Sequence, residues 1–391
     1  MEQNENKLNI AQEIFNQFIW FYKKNFDWKW FTHNNVCKRN TFLGGIDMDK
    51  PERIATIMKQ IKLEEPEKYI SALKEIFFLS CFKNNKFFTE MVDVFPSDDC
   101  QNLFIILRDE GTDLEQLIKF NNFDYNERYP TISRAIIFQV ACGLKILHDN
   151  NLLHNDIKPR NIIISQTGKV KICDLGSTDN TISLSEKEGT NGYYSPQNIL
   201  AKKEIKGKKE DDMWALGVVL LELLEKRCGI FLNDKLNKEK NFINILRNYF
   251  LIKYPEGRSD IRIQYIINLI KADNYTFEAK INFDKFPGVK SQEDKTLIEN
   301  LLKINPKERW TAEQVINYQA FRNLNKSLDL SNVNYKQDDY NNYFNHNLIN
   351  EEIFKKYLKD IKEKFIGKTI FDKNWGLGFG DWGLGIGDWA Q

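Results

Sequence analysis

The chain has 391 residues, enough for one large domain or two ordinary domains with tails, and 42% of them are hydrophobic, which allows a substantial core. Its 56 basic and 55 acidic residues nearly balance, so a net charge of +1 gives no broad basic field, and we expect neither a nucleic-acid nor a membrane partner. The start lacks the apolar core of a signal peptide, and no stretch is expected to reach the roughly 18 apolar residues of a membrane helix.

The six cysteines are scattered without any CxxC pair, which favours reduced thiols over disulfides or a zinc site. We therefore expect the chain to be cytoplasmic, with the nucleus as the alternative location.

Apolar spacing predicts the elements in chain order. A helix is expected over residues 8–24, within an N-terminal extension that covers 1–30. The runs WKWF, TFLGGIDM and RIATIMKQIK predict strands of a small antiparallel sheet, with Lys59 ending the strand ATIMK. A helix is expected to begin at Pro66, and FFTEMVDVF and NLFIILR predict two further strands. From about residue 112 the pattern becomes helical, and DDMWALGVVLLELLEK indicates a buried helix.

The C-terminal part has a different composition. Residues 324–350 are rich in Asn, Asp and Tyr and are interpreted as a connector, and 351–365 predict an amphipathic helix. The end, WGLGFGDWGLGIGDWAQ, contains a seven-residue repeat made twice. This repeat is either a low-complexity tail or a peptide whose tryptophans bind a partner.

The string HNDIKPRN carries residue types suited to phosphoryl transfer. That chemistry needs a carboxylate to orient the attacking hydroxyl, ligands for Mg²⁺, and cations near the phosphates. Asp156 can be the carboxylate, Asn161 can bind Mg²⁺, and Lys158 can neutralise the moving group. The alternative interpretation is a polar loop between a helix and a strand.

Other motifs accompany this string in a fixed order: ATIMK and LKEIFFL before it, then KVKICDLGS, GTNGYYSPQ, DDMWALG and NPKERW after it. The ordered set resembles the eukaryotic protein kinase family, and its serine/threonine branch in particular, over roughly residues 30–323. The resemblance implies an α+β, two-lobed fold with a β-rich N-lobe at 31–110, a helical C-lobe at 111–323, and a tail at 324–391. ATP would lie in the cleft.

The resemblance also implies a role for each matching residue. Asp156 would be the catalytic base with Lys158 and Thr190 beside it, and Asn161 and Asp174 would bind Mg²⁺. Asp212 would tie the catalytic loop to the buried helix. Lys59 would pair with Glu75 and hold the phosphates, Leu107 would be the gatekeeper before a hinge at 108–110, and Asp113 would reach the ribose. The implied nucleotide contacts are thus Lys59, Glu75, Leu107, Asp109, Asp113 and Ile163.

Four positions depart from the family pattern. Asn155 replaces the arginine that pairs with a phosphate on the activation loop, here residues 177–187, so control by phosphorylation of that loop is not expected. The region HNNVCKRN lacks the glycines that let the backbone approach phosphates, and Gly44 and Gly45 are expected in the strand that follows. Ile57 replaces an alanine and would crowd the adenine pocket. Gln197 replaces the glutamate that faces Arg309.

The sequence therefore predicts a monomeric, ATP- and Mg²⁺-dependent kinase that phosphorylates serine or threonine on protein substrates. The alternative is a pseudokinase scaffold that signals by binding. Activity is favoured because all the catalytic positions are retained: Lys59, Glu75, Asp156, Lys158, Asn161 and Asp174.

Overall fold

The computed structural model describes residues 40–47, 54–63, 66–96, 102–119, 129–165, 168–180, 184–185, 189–201, 205–233, 235–253, 262–322 and 356–360. The helix predicted at 8–24, the strand WKWF, the region HNNVCKRN up to Arg39 and the Trp/Gly repeat lie outside these residues. Of the predicted helix at 351–365, residues 356–360 are described and are helical. The predicted domain limits at residues 30, 110 and 323 stay predictions.

The described residues divide into two compact units. One, called the sheet unit here, contains described residues of 40–83, 90–109 and 356–360. The other, called the helical unit, contains 84–89 and described residues of 110–322. The fold class is α+β, as the sequence predicts.

The sheet unit is built on an antiparallel sheet in the order β1-β2-β4-β3. Its strands are β1 (Asn40–Asp47), β2 (Ile54–Lys62), β3 (Met91–Pro96) and β4 (Asn102–Arg108). Gly44 and Gly45 lie in β1 and pair with β2. Helix α1 (Pro66–Cys81) begins at the predicted proline and buries Leu73, Ile76 and Leu79.

Strand β2 explains how a lysine comes to be buried. Successive side chains of a strand point to opposite faces, so Lys59 shares a face with Ile61, and both are buried. The predicted end of the strand at Lys59 is wrong, because β2 continues to Lys62 through pairing with β4.

The helical unit contains a long helix that is almost fully buried. The helices are α2 (Leu114–Lys119), α3 (Tyr129–Asp149), α4 (Pro196–Leu200), α5 (Lys209–Glu225), α6 (Lys238–Tyr249), α7 (Arg262–Lys271), α8 (Gln292–Leu301) and α9 (Ala312–Ile316). Helix α5 is buried from Asp211 through Leu224, which is the burial that its continuous apolar run predicts.

Short strands connect the helices and carry the loops discussed below. They are β5 (Thr112–Asp113), β6 (Leu152–Leu153), β7 (Ile162–Ile164), β8 (Val170–Ile172), β9 (Asp179–Asn180), β10 (Leu184–Ser185), β11 (Ile205–Lys206), β12 (Phe250–Lys253) and β13 (Glu278–Ile281). They pair as β5-β7-β8, β6-β9, β10-β11 and β12-β13.

Helix α3 corrects one expectation from the sequence. Its 20 residues Pro130–Asp149 are long and apolar enough to cross a membrane by length and composition. Of its most apolar window, 67% is buried inside the fold, which is the environment of a core helix in a globular domain. Apolar composition alone does not distinguish a core helix from a spanning one.

Gln197 and Arg309 face each other, as the resemblance implies. The buried Arg309 guanidinium donates to the carbonyls of Lys303 and Glu210, and its Nη2 lies 3.3 Å from Gln197 Oε1. Burial lowers the pKa of Arg309 to about 10, although the nearby Asp211 carboxylate acts in the opposite direction. Backbone carbonyls therefore provide most of the acceptors that a glutamate would have supplied.

Candidate active site

The predicted catalytic loop, residues 154–161, forms a closed hydrogen-bond network. Lys158 Nζ lies 2.6 Å from Asp156 Oδ2 and donates to Thr190 Oγ1 at 2.7 Å. Thr190 Oγ1 donates in turn to Asp156 Oδ1 at 2.7 Å. Both carboxylate oxygens of Asp156 thus have a donor, and their orientation is fixed on two sides. The structure brings together the three residues predicted to surround the acceptor hydroxyl.

Asn161 completes the network from the end of a 3₁₀ turn, Pro159–Asn161. Its Nδ2 donates to the Asp156 carbonyl at 2.8 Å and to Asp156 Oδ2 at 3.0 Å. Because both contacts use the amide nitrogen, the amide oxygen is the atom available to coordinate a cation. This orientation agrees with the predicted role in binding Mg²⁺.

Asp174, the second predicted Mg²⁺ ligand, lies two residues after the end of β8, on a segment that is hydrogen-bonded to the catalytic loop. The Cys173 N–H donates to the Asn161 carbonyl at 3.0 Å. His154 Nδ1 accepts from the Asp156 N–H, so the ring hydrogen is on Nε2, which donates to the Cys173 carbonyl at 3.2 Å. Asp174 itself has a left-handed backbone, with φ of 61°.

A buried carboxylate on helix α5 holds the start of the loop. Asp212 Oδ2 accepts from the His154 N–H, and Oδ1 accepts from the Asn155 N–H, both at 2.9 Å. His148, at the end of α3, contacts Asp212 Oδ2 at 2.9 Å through Nε2. Burial by itself raises the pKa of Asp212, but the hydrogen bonds from the His148 ring and the His154 N–H and the electrostatic effect of these residues outweigh it, so this pKa lies below its usual value.

The sequence predicts the role of Asp212 but not that of His148. The available signal was a polar residue in the last turn of an otherwise apolar helix, six residues before His154. Its partner is 64 residues away in the chain, so spacing could not reveal the contact.

Two predicted nucleotide contacts lie side by side in the helical unit. Asp113 in β5 is the register partner of Ile163 in β7. Asp113 also has a structural role that the sequence did not reveal, because its Oδ1 accepts from the Gln116 N–H at 3.0 Å and caps helix α2. Gly111 lies just before β5 and has φ of 129°. A Cβ at this position would collide with the Ile164 carbonyl, so glycine is required here.

The sheet unit carries the remaining predicted contacts. Lys59 Nζ lies 2.7 and 2.8 Å from the two carboxylate oxygens of Glu75, and both side chains are buried. Leu107 is buried, whereas Asp109 is exposed. Ile57 is the cross-strand partner of Leu107, so the bulky departure from the family pattern directly borders the predicted gatekeeper.

The predicted metal ligands and phosphate contacts are of residue types that suit a magnesium nucleotide. The described residues contain no cluster of three or more His, Cys, Asp or Glu that could hold a metal by itself. Magnesium in nucleotide sites takes only one or two protein oxygens together with phosphates and waters. The amide oxygen of Asn161 and the carboxylate of Asp174 match that demand, and the Lys59–Glu75 pair adds a cation for phosphate in the sheet unit.

Comparison with known proteins identifies the family of the chain. The family model of the protein kinase domain matches residues 46–321. The chain belongs to the protein kinase family. The kinase fold accordingly comprises a β-rich N-lobe and a helical C-lobe, to which the sheet unit and the helical unit correspond.

Several curated kinases are similar to this one. Mitogen-activated protein kinase 15 of Xenopus laevis is 26% identical over 63% of this chain and 42% of the relative. Extracellular signal-regulated kinase 7 of Drosophila melanogaster is 23% identical over 69% of this chain and 31% of the relative. Mitogen-activated protein kinase mpk-1 of Caenorhabditis elegans is 26% identical over 69% of this chain and 60% of the relative. The kinase thus covers between 31% and 60% of the length of these relatives.

Replacing Asp212 tests the anchor of the catalytic loop. In Asp212→Asn, one acceptor oxygen becomes a donor that faces buried N–H groups, so we expect unfolding to become easier by roughly 3–5 kcal/mol. The lowered pKa means that the stabilisation from Asp212 is present above the ordinary carboxyl pKa and is lost as pH falls toward the lower folded value. Thermal unfolding at neutral pH measures the effect.

Asp149→Asn is the matched control. Asp149 is an exposed residue that pairs with Lys145 at i,i+4, and its loss should cost about 0.5 kcal/mol or less. Equal melting temperatures for the two variants would contradict the anchoring role of Asp212.

Proposed function

We propose that this kinase transfers the γ-phosphate of ATP to serine or threonine hydroxyls of protein substrates. The observation that carries the proposal is the closed network of Asp156, Lys158, Thr190 and Asn161, in which each of these four side chains contacts another. Such preorganisation is what phosphoryl transfer requires of a protein, since little covalent work falls to its side chains.

When bound, Mg²⁺-ATP supplies the phosphoryl group and the divalent charge that offsets its oxygens. Asp156 would accept a hydrogen bond from the substrate hydroxyl and orient its oxygen. Lys158 contacts Asp156 and can also contribute positive charge beside the acceptor. Glu75 holds the Lys59 ammonium group in place, so that Lys59 can meet a phosphate without first being ordered.

Preference for serine or threonine is supported by the contact between Lys158 and Thr190. The lysine two residues after Asp156 bonds that threonine at 2.7 Å. This pair is the pattern of the serine/threonine branch, which the family resemblance associates with aliphatic hydroxyl acceptors.

We further propose that activity does not require phosphorylation of the activation loop. Asn155 carries no charge for a phosphate, and the loop is held instead by backbone pairing. Strand β9 pairs with β6 before the catalytic loop, and β10 pairs with β11. Thr178 is fully buried, so its hydroxyl is inaccessible to a modifying enzyme in this conformation.

Other parts of the proposal rest on sequence alone. The kinase would act as a monomer in the cytoplasm, with the nucleus as the alternative, and its Trp/Gly repeat would bind a protein partner. The competing function is a pseudokinase scaffold. One observation favours it, namely the position of Ile57 beside Leu107 at the predicted adenine pocket.

Phosphotransfer can be tested directly with radiolabelled ATP, Mg²⁺ and dephosphorylated casein as a generic acceptor. We expect the wild type to label serine or threonine and Asp156→Asn to lower kcat by about a hundredfold or more, because the residue that orients the hydroxyl is lost. The exposed Asp284→Asn is the matched control and should retain wild-type activity. Absence of transfer by the wild type with either Mg²⁺ or Mn²⁺ would favour the scaffold.

Independence from phosphorylation predicts the behaviour of a second variant. Replacing Ser177, Thr181, Ser183 and Ser185 together by alanine should leave most of the kcat in place, as should phosphatase treatment of the wild type. A loss of a hundredfold in the alanine variant, about 2.7 kcal/mol of barrier, would show that a cation elsewhere has replaced the family's arginine. Mass spectrometry of the purified protein establishes its phosphorylation state in each assay.

A further inference from the structure

We propose that Asn155 is a positioning residue whose side-chain amide holds the Asp174 segment against the catalytic loop. The proposal rests on the proposed function, since it assigns how the predicted Mg²⁺ ligand is placed. Asn155 Nδ2 donates to the Ser177 carbonyl at 3.0 Å. Ser177 ends the 3₁₀ turn Leu175–Ser177, which begins immediately after Asp174.

The same residue is fixed on its other side by its backbone. The Asn155 N–H donates to Asp212 Oδ1, so one residue connects buried helix α5 to the turn that follows Asp174. Its φ of 65° lies in the left-handed region, which asparagine tolerates better than most side chains. The short amide suits this position in both conformation and hydrogen bonding.

Gly207 lies next to the Oδ1 atom of the Asn155 amide. A Cβ at this glycine would lie 3.2 Å from Asn155 Oδ1 and 2.6 Å from Leu153 Cδ1. Gly207 directly follows β11, the strand that pairs with β10 of the activation loop. Backbone at Ser177 and at Gly207 therefore lies against Asn155, at the position where the family resemblance expects an arginine and a phosphate.

This arrangement makes a neutral hydrogen bond, rather than an ion pair, the link between the two segments. A donor facing a backbone carbonyl needs no modification to form, so the link is present as soon as the domain folds. Losing the donor leaves the Ser177 carbonyl without this partner and weakens the placement of the turn that carries Asp174. We therefore expect loss of the donor to affect the Mg²⁺ requirement more than the KM for the protein substrate.

Asn155→Asp and Asn155→Gly separate the amide from the backbone conformation. Both residues adopt the left-handed region, but aspartate presents an acceptor to the Ser177 carbonyl and glycine presents no side chain. We expect each to lower kcat by about tenfold or more, equivalent to about 1.4 kcal/mol, with aspartate the more severe. The Mg²⁺ concentration for half-maximal activity should rise, whereas KM for casein should not change.

Asn151→Gly is the matched control. Asn151 is an exposed asparagine with φ of 54° in the preceding turn, and its replacement should change neither kcat nor the Mg²⁺ requirement. If both Asn155 variants keep the wild-type kcat and Mg²⁺ requirement, the proposal is overturned. It is also overturned if their activity falls only in proportion to the folded fraction measured by thermal unfolding.

If the wild type shows no phosphotransfer, the proposed function is refuted. The role of Asn155 can still be tested by nucleotide binding. The readout is then the increase in melting temperature with ATP, compared in Mg²⁺ and in EDTA. A Mg²⁺-dependent shift that is smaller in both variants supports the proposal. A shift of equal size in the wild type and both variants, or no shift in any of them, overturns it.

Discussion

The catalytic loop depends on one buried carboxylate, that of Asp212. It accepts the N–H groups of two consecutive loop residues, His154 and Asn155, and it also contacts the His148 ring. Buried backbone donors need partners, and a carboxylate fixed on a buried helix supplies two acceptors at once. The apolar sequence of α5 therefore has a chemical consequence. The apolar residues bury α5 and thereby fix Asp212 next to the catalytic loop. The loop then places Asp156 within hydrogen-bond distance of Lys158, Asn161 and Thr190.

Neutral amides replace charges at two places where the family uses ions. Asn155 donates to the Ser177 carbonyl, and Gln197 donates to the Ile304 carbonyl at 2.8 Å while its oxygen faces Arg309. Both substitutions exchange a charge-dependent contact for one made to the backbone. These contacts then follow from folding, with less dependence on a modification or an ionised partner. Lys59 and Glu75, in contrast, retain the pair of basic and acidic side chains that the family pattern has.

The sequence was sufficient wherever a pattern is local. Runs rich in strand-forming residues predicted β2 and β4, the proline predicted the start of α1, and the continuous apolar run predicted the burial of α5. The motif order predicted Asp156, Lys158 and Asn161, whose spacing within the catalytic loop is short-range. It also predicted Thr190, which belongs to a separate motif 34 residues after Asp156. Contacts between distant segments were not accessible. The partnership of His148 with Asp212, the pairing of β10 with β11, and the cover of Gly207 over Asn155 all depend on tertiary packing. For helix α3 the expectation that no stretch has the length and apolar composition of a membrane helix was wrong, and burial in the fold accounts for that composition.

Binding of Mg²⁺-ATP despite Ile57 is the proposal on which the other proposed roles depend. Thermal unfolding of the wild type with ATP, in Mg²⁺ and in EDTA, beside Asp174→Asn, tests it most directly. At about 100 times the dissociation constant, a ligand that binds only the folded state adds ~2.7 kcal/mol to its stability. We expect such a shift in the wild type with Mg²⁺, and a much smaller shift in EDTA or in the variant. No shift at millimolar ATP with Mg²⁺ would contradict the claim.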